Sequence, residues 1–274
     1  MRYLRKLIID FAPPIVLRAI RRMRVVHPHF EGDYTSWEVA SEKCSGYNSE
    51  NILVKVLEAT LKVKSGDAVF ERDSVLFDEI EYAWPVLSGL MWAAARNGGK
   101  LNVLDFGGSL GSSYFQNRKF LEDLPEVRWN IVEQEHYVQA GQEHIQDDYL
   151  RFYPTIDACL AENKPNVVLL SSVLQYLKSP SVIIDILTSV GANSLIIDRS
   201  PFSLSNRNKL VIQNVSASIY EASYPMWIFS GEKFDKMLME NWNLVARNLS
   251  PEGRIKTASN FEFSFQGMLL EARR

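Results

Sequence analysis

Two carboxylates, Asp105 and Glu133, stand 28 positions apart and each closes a short apolar run. Leu101-Asn102-Val103-Leu104 precedes the first, and Trp129-Asn130-Ile131-Val132 precedes the second. Through Phe106, Asp105 leads into a glycine-rich stretch, Gly107-Gly108-Ser109-Leu110-Gly111. Glycines at a strand-to-helix turn admit positive φ and let the backbone approach a ligand, and the helix that follows offers unpaired N–H groups and a positive dipole end. An acid in such a turn would repel a pyrophosphate; it suits a nucleoside with a cationic amino-acid end, such as S-adenosylmethionine. An acid closing the next strand can accept both hydroxyls of a ribose. Together the two carboxylates could hold such a nucleoside by its opposite ends.

The spacing separates two kinds of cofactor loop. A dinucleotide fingerprint needs G-x-G-x-x-G. Starting at Gly107, its second and third glycine positions hold Ser109 and Ser112. The pattern acid-x-G-x-G-x-G is met at Asp105, Gly107 and Gly111, with Ser109 at the middle glycine. Further along, Ser171-Ser172 closes a third buried-type run and Asp198 a fourth, with Arg199 just beyond it. Asp198, Tyr176 and Tyr224 are the candidates for relieving an acceptor of its proton, and Arg199 and Glu221 for gripping the acceptor; Arg199 suits a phosphate or carboxylate.

The elements that must position these residues alternate. Strands are expected up to Asp105, over Arg128–Glu133, Tyr149–Tyr153, Asn166–Ser171 and Ser194–Asp198, with helical patterns between them. The continuously apolar runs are those of parallel strands covered on both faces. Arg199-Ser200-Pro201 opens what reads as a long irregular stretch to Tyr224-Pro225, then a helix from Ser230 to Asn241. Trp242–Leu249 and Phe261–Leu270 read as two final strands, joined too closely for a crossover helix and therefore antiparallel. Before the alternation, Ile52, Val56, Ala59 and Val63 mark one helix and Trp84 to Ala95 another, stopped by Asn97-Gly98-Gly99. The expectation is a doubly wound α/β fold with a seven-stranded sheet, mostly parallel and ending in an antiparallel hairpin. Residues 1–100 form a basic arm and helical cap, and residues 101–274 the Rossmann-like cofactor domain.

Bulk properties narrow the function classes. The 274 residues are 46% hydrophobic and 23% charged, with a net charge of −3. Whole-chain charge gives no nucleic-acid signature. Residues 1–24 are distinct: seven bases against Asp10 make +6, leaving −9 for the remainder. Leu4, Leu7, Ile8 and Phe11 fall at helical spacing there, so the arm reads either as packed on its own domain or as a peripheral membrane contact. Cys44 and Cys159 have no metal-like spacing and suit a reducing, cytoplasmic setting, and the four histidines form no metal pattern.

The chain also resembles a bacterial family of class I S-adenosylmethionine-dependent methyltransferases often found with genes for surface polysaccharide synthesis. The resemblance rests on Tyr34-Thr35-Ser36-Trp37, Gly46-Tyr47, Arg72-Asp73-Ser74-Val75-Leu76-Phe77, Asp105-Phe106-Gly107-Gly108-Ser109-Leu110-Gly111-Ser112-Ser113-Tyr114, Val132-Glu133-Gln134, Leu170-Ser171-Ser172-Val173-Leu174-Gln175-Tyr176-Leu177, Ile197-Asp198-Arg199-Ser200-Pro201-Phe202 and Ile219-Tyr220-Glu221-Ala222-Ser223-Tyr224-Pro225. It implies that Ser109 is native to this form of the loop. It also implies a cofactor lying across Asp105, Phe106, Gly107, Gly108, Ser109, Gly111, Glu133, Gln134, Ser171 and Ser172. The acceptor it suggests is small or glycan-linked, such as a sugar or sugar-nucleotide hydroxyl. A nicotinamide-dependent oxidoreductase and a non-catalytic partner protein built on the same fold are the alternatives.

Overall fold

The computed structural model describes residues 29–44, 49–215, 222–257 and 259–273. Strand β1 (His29–Glu31) is followed by helices α1 (Trp37–Ser41) and α2 (Ser49–Ser65). A short hairpin comes next, β2 (Phe70–Arg72) and β3 (Val75–Phe77), and then α3 (Trp84–Arg96). The alternation expected from the sequence runs through β4 (Lys100–Phe106), α4 (Ser112–Leu121), β5 (Glu126–Val132), α5 (Glu135–Ala140), β6 (Leu150–Tyr153), α6 (Ile156–Glu162), β7 (Val167–Ser171), α7 (Pro180–Ser189) and β8 (Ser194–Ser203). The chain closes with β9 (Lys209–Asn214), β10 (Ser223–Ser230), α8 (Gly231–Leu238), β11 (Trp242–Lys256) and β12 (Glu262–Ala272). Local chemistry sets several boundaries. Ser36 and Thr155 accept the N–H of the residue three on, capping α1 and α6, and Pro85 and Pro180 occupy first turns where no N–H is needed.

The sheet grows from β4 in both directions. β4 pairs in parallel with β5 and β7, β5 with β6, and β7 with β8. β12 adds antiparallel to β8, and β11 adds antiparallel to β12. Seven strands therefore run β6-β5-β4-β7-β8-β12-β11, mostly parallel and finished by an antiparallel pair. Val167, Val168, Leu169 and Leu170 have no exposed surface, because helices cover both faces. On one face α2, α3 and α4 enclose Leu101, Val103, Trp129, Ile131 and Ile196. On the other, α7 and α8 enclose Leu104, Val168, Leu170, Leu195 and Ile197. The first core takes residues from both sides of position 100, including Val86, Leu90 and Ala93 of α3.

Three strands lie beyond the expected seven, making a ten-stranded sheet. The fifth strand does not stop at Asp198: β8 runs on to Ser203, still paired with β12. β7 ends opposite Asp198, and β10 takes up the vacated side of β8 at Phe202 and Ser203. β9 pairs antiparallel with β10, and β1 with β9. Among its described residues, the expected irregular stretch is thus mainly strand. Pro201, the apparent breaker, falls in the gap between the two partner strands, where its missing N–H costs least. A third apolar cluster, with Phe30, Val211, Met226, Ile228, Ile255, Phe263 and Phe265, fastens this extension to the final hairpin. The first hundred residues were expected to be mainly helical; β1 and the β2–β3 hairpin are exceptions, the hairpin turning at Asp73 and Ser74 with φ of 51° and 68°. Residues 1–24, Gly46-Tyr47 and Glu221 lie outside the described residues. Among the described residues, no helix is long and apolar enough to cross a membrane.

Candidate functional site

The glycine turn sits at the carboxyl end of β4, where the strand order reverses between β5 and β7. That switch point is where open α/β sheets leave a crevice for a ligand. The turn is tied down at its start, since the Gly107 N–H donates to Val132 O at 2.9 Å. Gly107, Ser109 and Gly111 have φ of 74°, 53° and 96°. A Cβ on Gly107 would stand 2.4 Å from Val173 Cγ2, and one on Gly108 would stand 2.5 Å from Asp105 Oδ2. Both positions therefore need glycine for space, and Gly107 for its φ as well.

Asp105 departs from its expected posture. It is only 1% exposed, closed in with Gly108 against its carboxyl group, rather than open to the cleft. Oδ2 accepts from Trp129 Nε1 at 2.9 Å, and Oδ1 is buried without a partner. Burial pushes the carboxyl up to about 7, and the charge of Glu133 adds to the rise, against the pull of the Trp129 bond. A direct ion pair with the cationic end of a cofactor does not fit this enclosure. Asp105 instead braces the turn from beneath. Trp129, on the adjacent strand β5 and 24 residues further on, carries no motif, so this bond was not readable in advance.

Glu133 stays at the rim, half-buried at the end of β5. Its carboxylate accepts the N–H of Gln134 at 2.6 Å and the N–H of Ser109. It thereby fastens the glycine turn to the second strand. Burial raises its pKa, and the two backbone N–H bonds oppose the rise. Phe106 is half-buried above the strand end and Gln134 is exposed.

On the other side of the switch point, Ser171, Asp198 and Arg199 come together. Ser171 Oγ donates to Asp198 Oδ2 at 2.9 Å and accepts from Arg199 Nη2 at 3.1 Å. Arg199 Nε lies 3.2 Å from the same carboxylate, but its N–H is not aimed at the oxygen and makes no hydrogen bond. Asp198 is thus engaged by a hydroxyl and a guanidinium, an arrangement that steadies the arginine and suits a proton acceptor poorly. Ser172 (φ 56°) receives a bond from buried Gln175, whose Nε2 also reaches Arg199 O. The candidates Tyr176 and Tyr224 also meet, edge to face at 5.1 Å, and Tyr176 donates its hydroxyl proton to Gln213 Oε1 at 3.0 Å. β9 and β10 thus supply one wall beside the strand ends. Gln213 and Gln175 were not anticipated, because a lone glutamine carries no spacing signal.

The β2–β3 hairpin closes the arrangement from the N-terminal side. Glu71, 1% exposed, accepts a hydrogen bond from Ser112 Oγ at the start of α4, and its other oxygen accepts the Ser74 N–H at 3.4 Å. Among the described residues, no three His, Cys, Asp or Glu side chains are grouped to hold a metal ion.

No family model and no curated protein matches the chain. Among solved structures it is similar in fold to several methyltransferases. One is the 1,6-didemethyltoxoflavin-N1-methyltransferase of Burkholderia thailandensis, at 11% identity over 84% of this chain and 92% of that one, TM-score 0.43. Another is the N-methyltransferase NodS of Bradyrhizobium japonicum in complex with S-adenosyl-L-homocysteine, at 13% identity over 81% and 100%, TM-score 0.43. A third is an S-adenosylmethionine-dependent methyltransferase from Clostridium acetobutylicum, at 9% identity over 82% and 99%, TM-score 0.47. Likenesses this distant carry no weight for what the chain binds or does.

Proposed function

We propose that the chain is an S-adenosylmethionine-dependent methyltransferase acting on a hydroxyl of a small or glycan-linked acceptor, such as a sugar or sugar nucleotide. The observation that carries this reading is a glycine turn at the sheet's switch point, fastened to a carboxylate at the end of the adjacent strand. The residues fit the nucleoside part of the cofactor. Glu133 is at the rim to accept ribose hydroxyls, and the turn has no side chain at Gly107 or Gly108 to hold a ligand off. The buried, unpartnered Asp105 Oδ1 acts on the cationic end only through the turn that covers it.

When bound, the cofactor supplies a methyl group on a sulfonium, transferred in line. The chain's task is then alignment, and well-oriented reactants gain several kcal/mol or more from it. In this reading, Ser171 and Ser172 flank the cofactor at the end of β7. Tyr176 and Tyr224 face the acceptor, with Gln213 fixing the direction of one phenol. Asp198 serves by holding Arg199. Residues 1–24 would offer peripheral contact with an anionic membrane surface.

Titration calorimetry with S-adenosylmethionine, S-adenosylhomocysteine and NADH tests the reading. Saturable binding of the first two without the third is expected. Binding of NADH alone would make the chain an oxidoreductase, and binding of none would leave a non-catalytic protein. A screen of acceptors with methyl-labelled cofactor then identifies the acceptor.

A further inference from the structure

Glu71 stands 41 positions before Ser112, in a hairpin outside the alternating strands and helices, yet the two side chains are bonded. One oxygen of the buried carboxyl group accepts the hydroxyl of Ser112, the first residue of α4. The other accepts the Ser74 N–H at 3.4 Å. The first bond grips the exit of the glycine turn. The second grips the turn of the hairpin itself, where Asp73 and Ser74 take φ of 51° and 68°. Left-handed backbone at residues other than glycine is strained and lasts where neighbouring contacts enforce it.

The glycine turn is thereby tied from two directions. Its entry and middle are held by β5, through Gly107 N–H to Val132 O and Ser109 N–H to the Glu133 carboxylate. Its exit has no such help from within: Gly111 begins α4 with φ of 96° and no side-chain cap. Glycines leave a turn many conformations, and a ligand that needs one of them binds better when the turn is already ordered. The hairpin that supplies the tie is itself lightly held. β2 packs on α2 and α4 with Phe70 and Glu71 buried, whereas all three residues of β3 are exposed. A two-stranded hairpin is marginal alone, and an element held by few buried contacts opens below the free energy of global unfolding. Burial pushes the Glu71 carboxyl above its ordinary range, and the Ser112 bond opposes that rise most. Opening the hairpin would return this carboxyl to water.

We propose that Glu71 is a positioning residue for the cofactor: by closing the β2–β3 hairpin on Ser112 it holds the glycine turn in shape, so that a ligand on the turn and the closed hairpin favour each other. The inference rests on the methyltransferase reading for the word cofactor, but the tie between hairpin and turn stands on the two bonds of Glu71. Coupling of this kind is reciprocal: what loosens the hairpin weakens the ligand, and the ligand steadies the hairpin.

The test pairs calorimetry with S-adenosylhomocysteine and amide hydrogen exchange, both on the full chain. Glu71→Ala and Ser112→Ala should each weaken S-adenosylhomocysteine at least about fivefold. The double variant should be no weaker than the worse single one, because both changes remove the same bond. Glu71→Gln keeps an acceptor oxygen and Ser112→Thr keeps the hydroxyl, so each should fall between its alanine variant and the native chain. Glu79→Ala, at an exposed acid beyond β3, should change nothing. Without ligand, Glu71→Ala should quicken exchange at Ser109 and Gly111, whose N–H groups donate to Glu133 and to Gly108 O, and leave Lys100–Phe106 unchanged. Saturating S-adenosylhomocysteine should slow exchange in Phe70–Phe77 of the native chain and not in Ser112→Ala. Thermal melting checks each variant, and Ser112→Ala, which loses a single hydroxyl, carries the test if Glu71→Ala unfolds. Additive losses in the double variant, unchanged exchange at Ser109 and Gly111, or hairpin exchange indifferent to the ligand would each overturn the proposal. Failure of the native chain to bind S-adenosylhomocysteine would instead fault the methyltransferase reading, and the exchange without ligand would still decide the tie.

Discussion

Asp105 shows how one residue can fit a motif and still act differently from what the motif suggests. Its carboxyl is held at about 7 against an ordinary value of 3.8, chiefly by burial. The neutral form is therefore favoured in the folded chain. That contribution to stability is complete below pH 3.8 and is lost as the pH rises to about 7. Asp105→Asn removes the charge and keeps an acceptor for Trp129. It should raise the melting temperature at pH 8 by several degrees, roughly 2 kcal/mol, with the gain shrinking toward pH 5. A variant that melts below the native chain at pH 8 would show that the carboxylate is stabilised in its enclosure. Glu133 makes the contrasting case at the rim. Glu133→Gln forfeits charge-assisted bonds, worth roughly 1.5–3 kcal/mol each, and loosens the tie to Ser109. It should weaken S-adenosylhomocysteine binding at least tenfold by calorimetry; an unchanged affinity would remove Glu133 from the site.

At the scale of elements, the alternation from β4 to β8 was legible because the parallel strands are short apolar runs separated by helical patterns. Asp105, Glu133 and Ser171 each stand within one residue of such a strand's end, so those ends were legible too, whereas the end read at Asp198 falls in the middle of β8. The extension was not. Lys209–Asn214 and Ser223–Ser230 contain apolar runs, but Arg199-Ser200-Pro201 looks like the end of a strand, and only the departure of β7 from that edge makes Pro201 tolerable there. Similarly, Glu71 and Arg72 look like surface charge until the hairpin is seen to fold back onto Ser112. The glycine turn is an element whose sequence and geometry can be tested together. Gly107→Ala must hold φ near 74° and bring a methyl 2.4 Å from Val173 Cγ2. It should cost roughly 1–3 kcal/mol in chemical denaturation, and adding Val173→Ala should recover the steric share while leaving the backbone share. A double variant that recovers nothing would show that the contact with Val173 is not the reason for the glycine.

Across the whole molecule, the glycine turn and the wall built by β9 and β10 rest largely on different apolar clusters. The glycine turn stands on strands whose interiors are Leu101, Val103, Trp129 and Ile131 on one face, and Leu104 and Val168 on the other. The wall that presents Gln213 and Tyr224 is fastened by Phe30, Met226, Ile228, Phe263 and Phe265, with Phe263 edge-on to Phe30 at 5.1 Å. Regions with separate cores can open separately, at a free energy below that of global unfolding. Phe263→Leu removes the ring contact and keeps an apolar side chain, at a cost of about 1–1.5 kcal/mol. Amide hydrogen exchange should then quicken in Lys209–Asn214 and Ser223–Ser230 and stay unchanged in Lys100–Phe106 and Glu126–Val132, with S-adenosylhomocysteine affinity within twofold of native. β8 belongs to both regions, so its first half, to Asp198, should exchange with the strands under the glycine turn and its last residues with the wall. Faster exchange in all strands at once would mean that β8 couples the two clusters into one cooperative unit, and that the wall cannot loosen while the strands under the glycine turn stay closed.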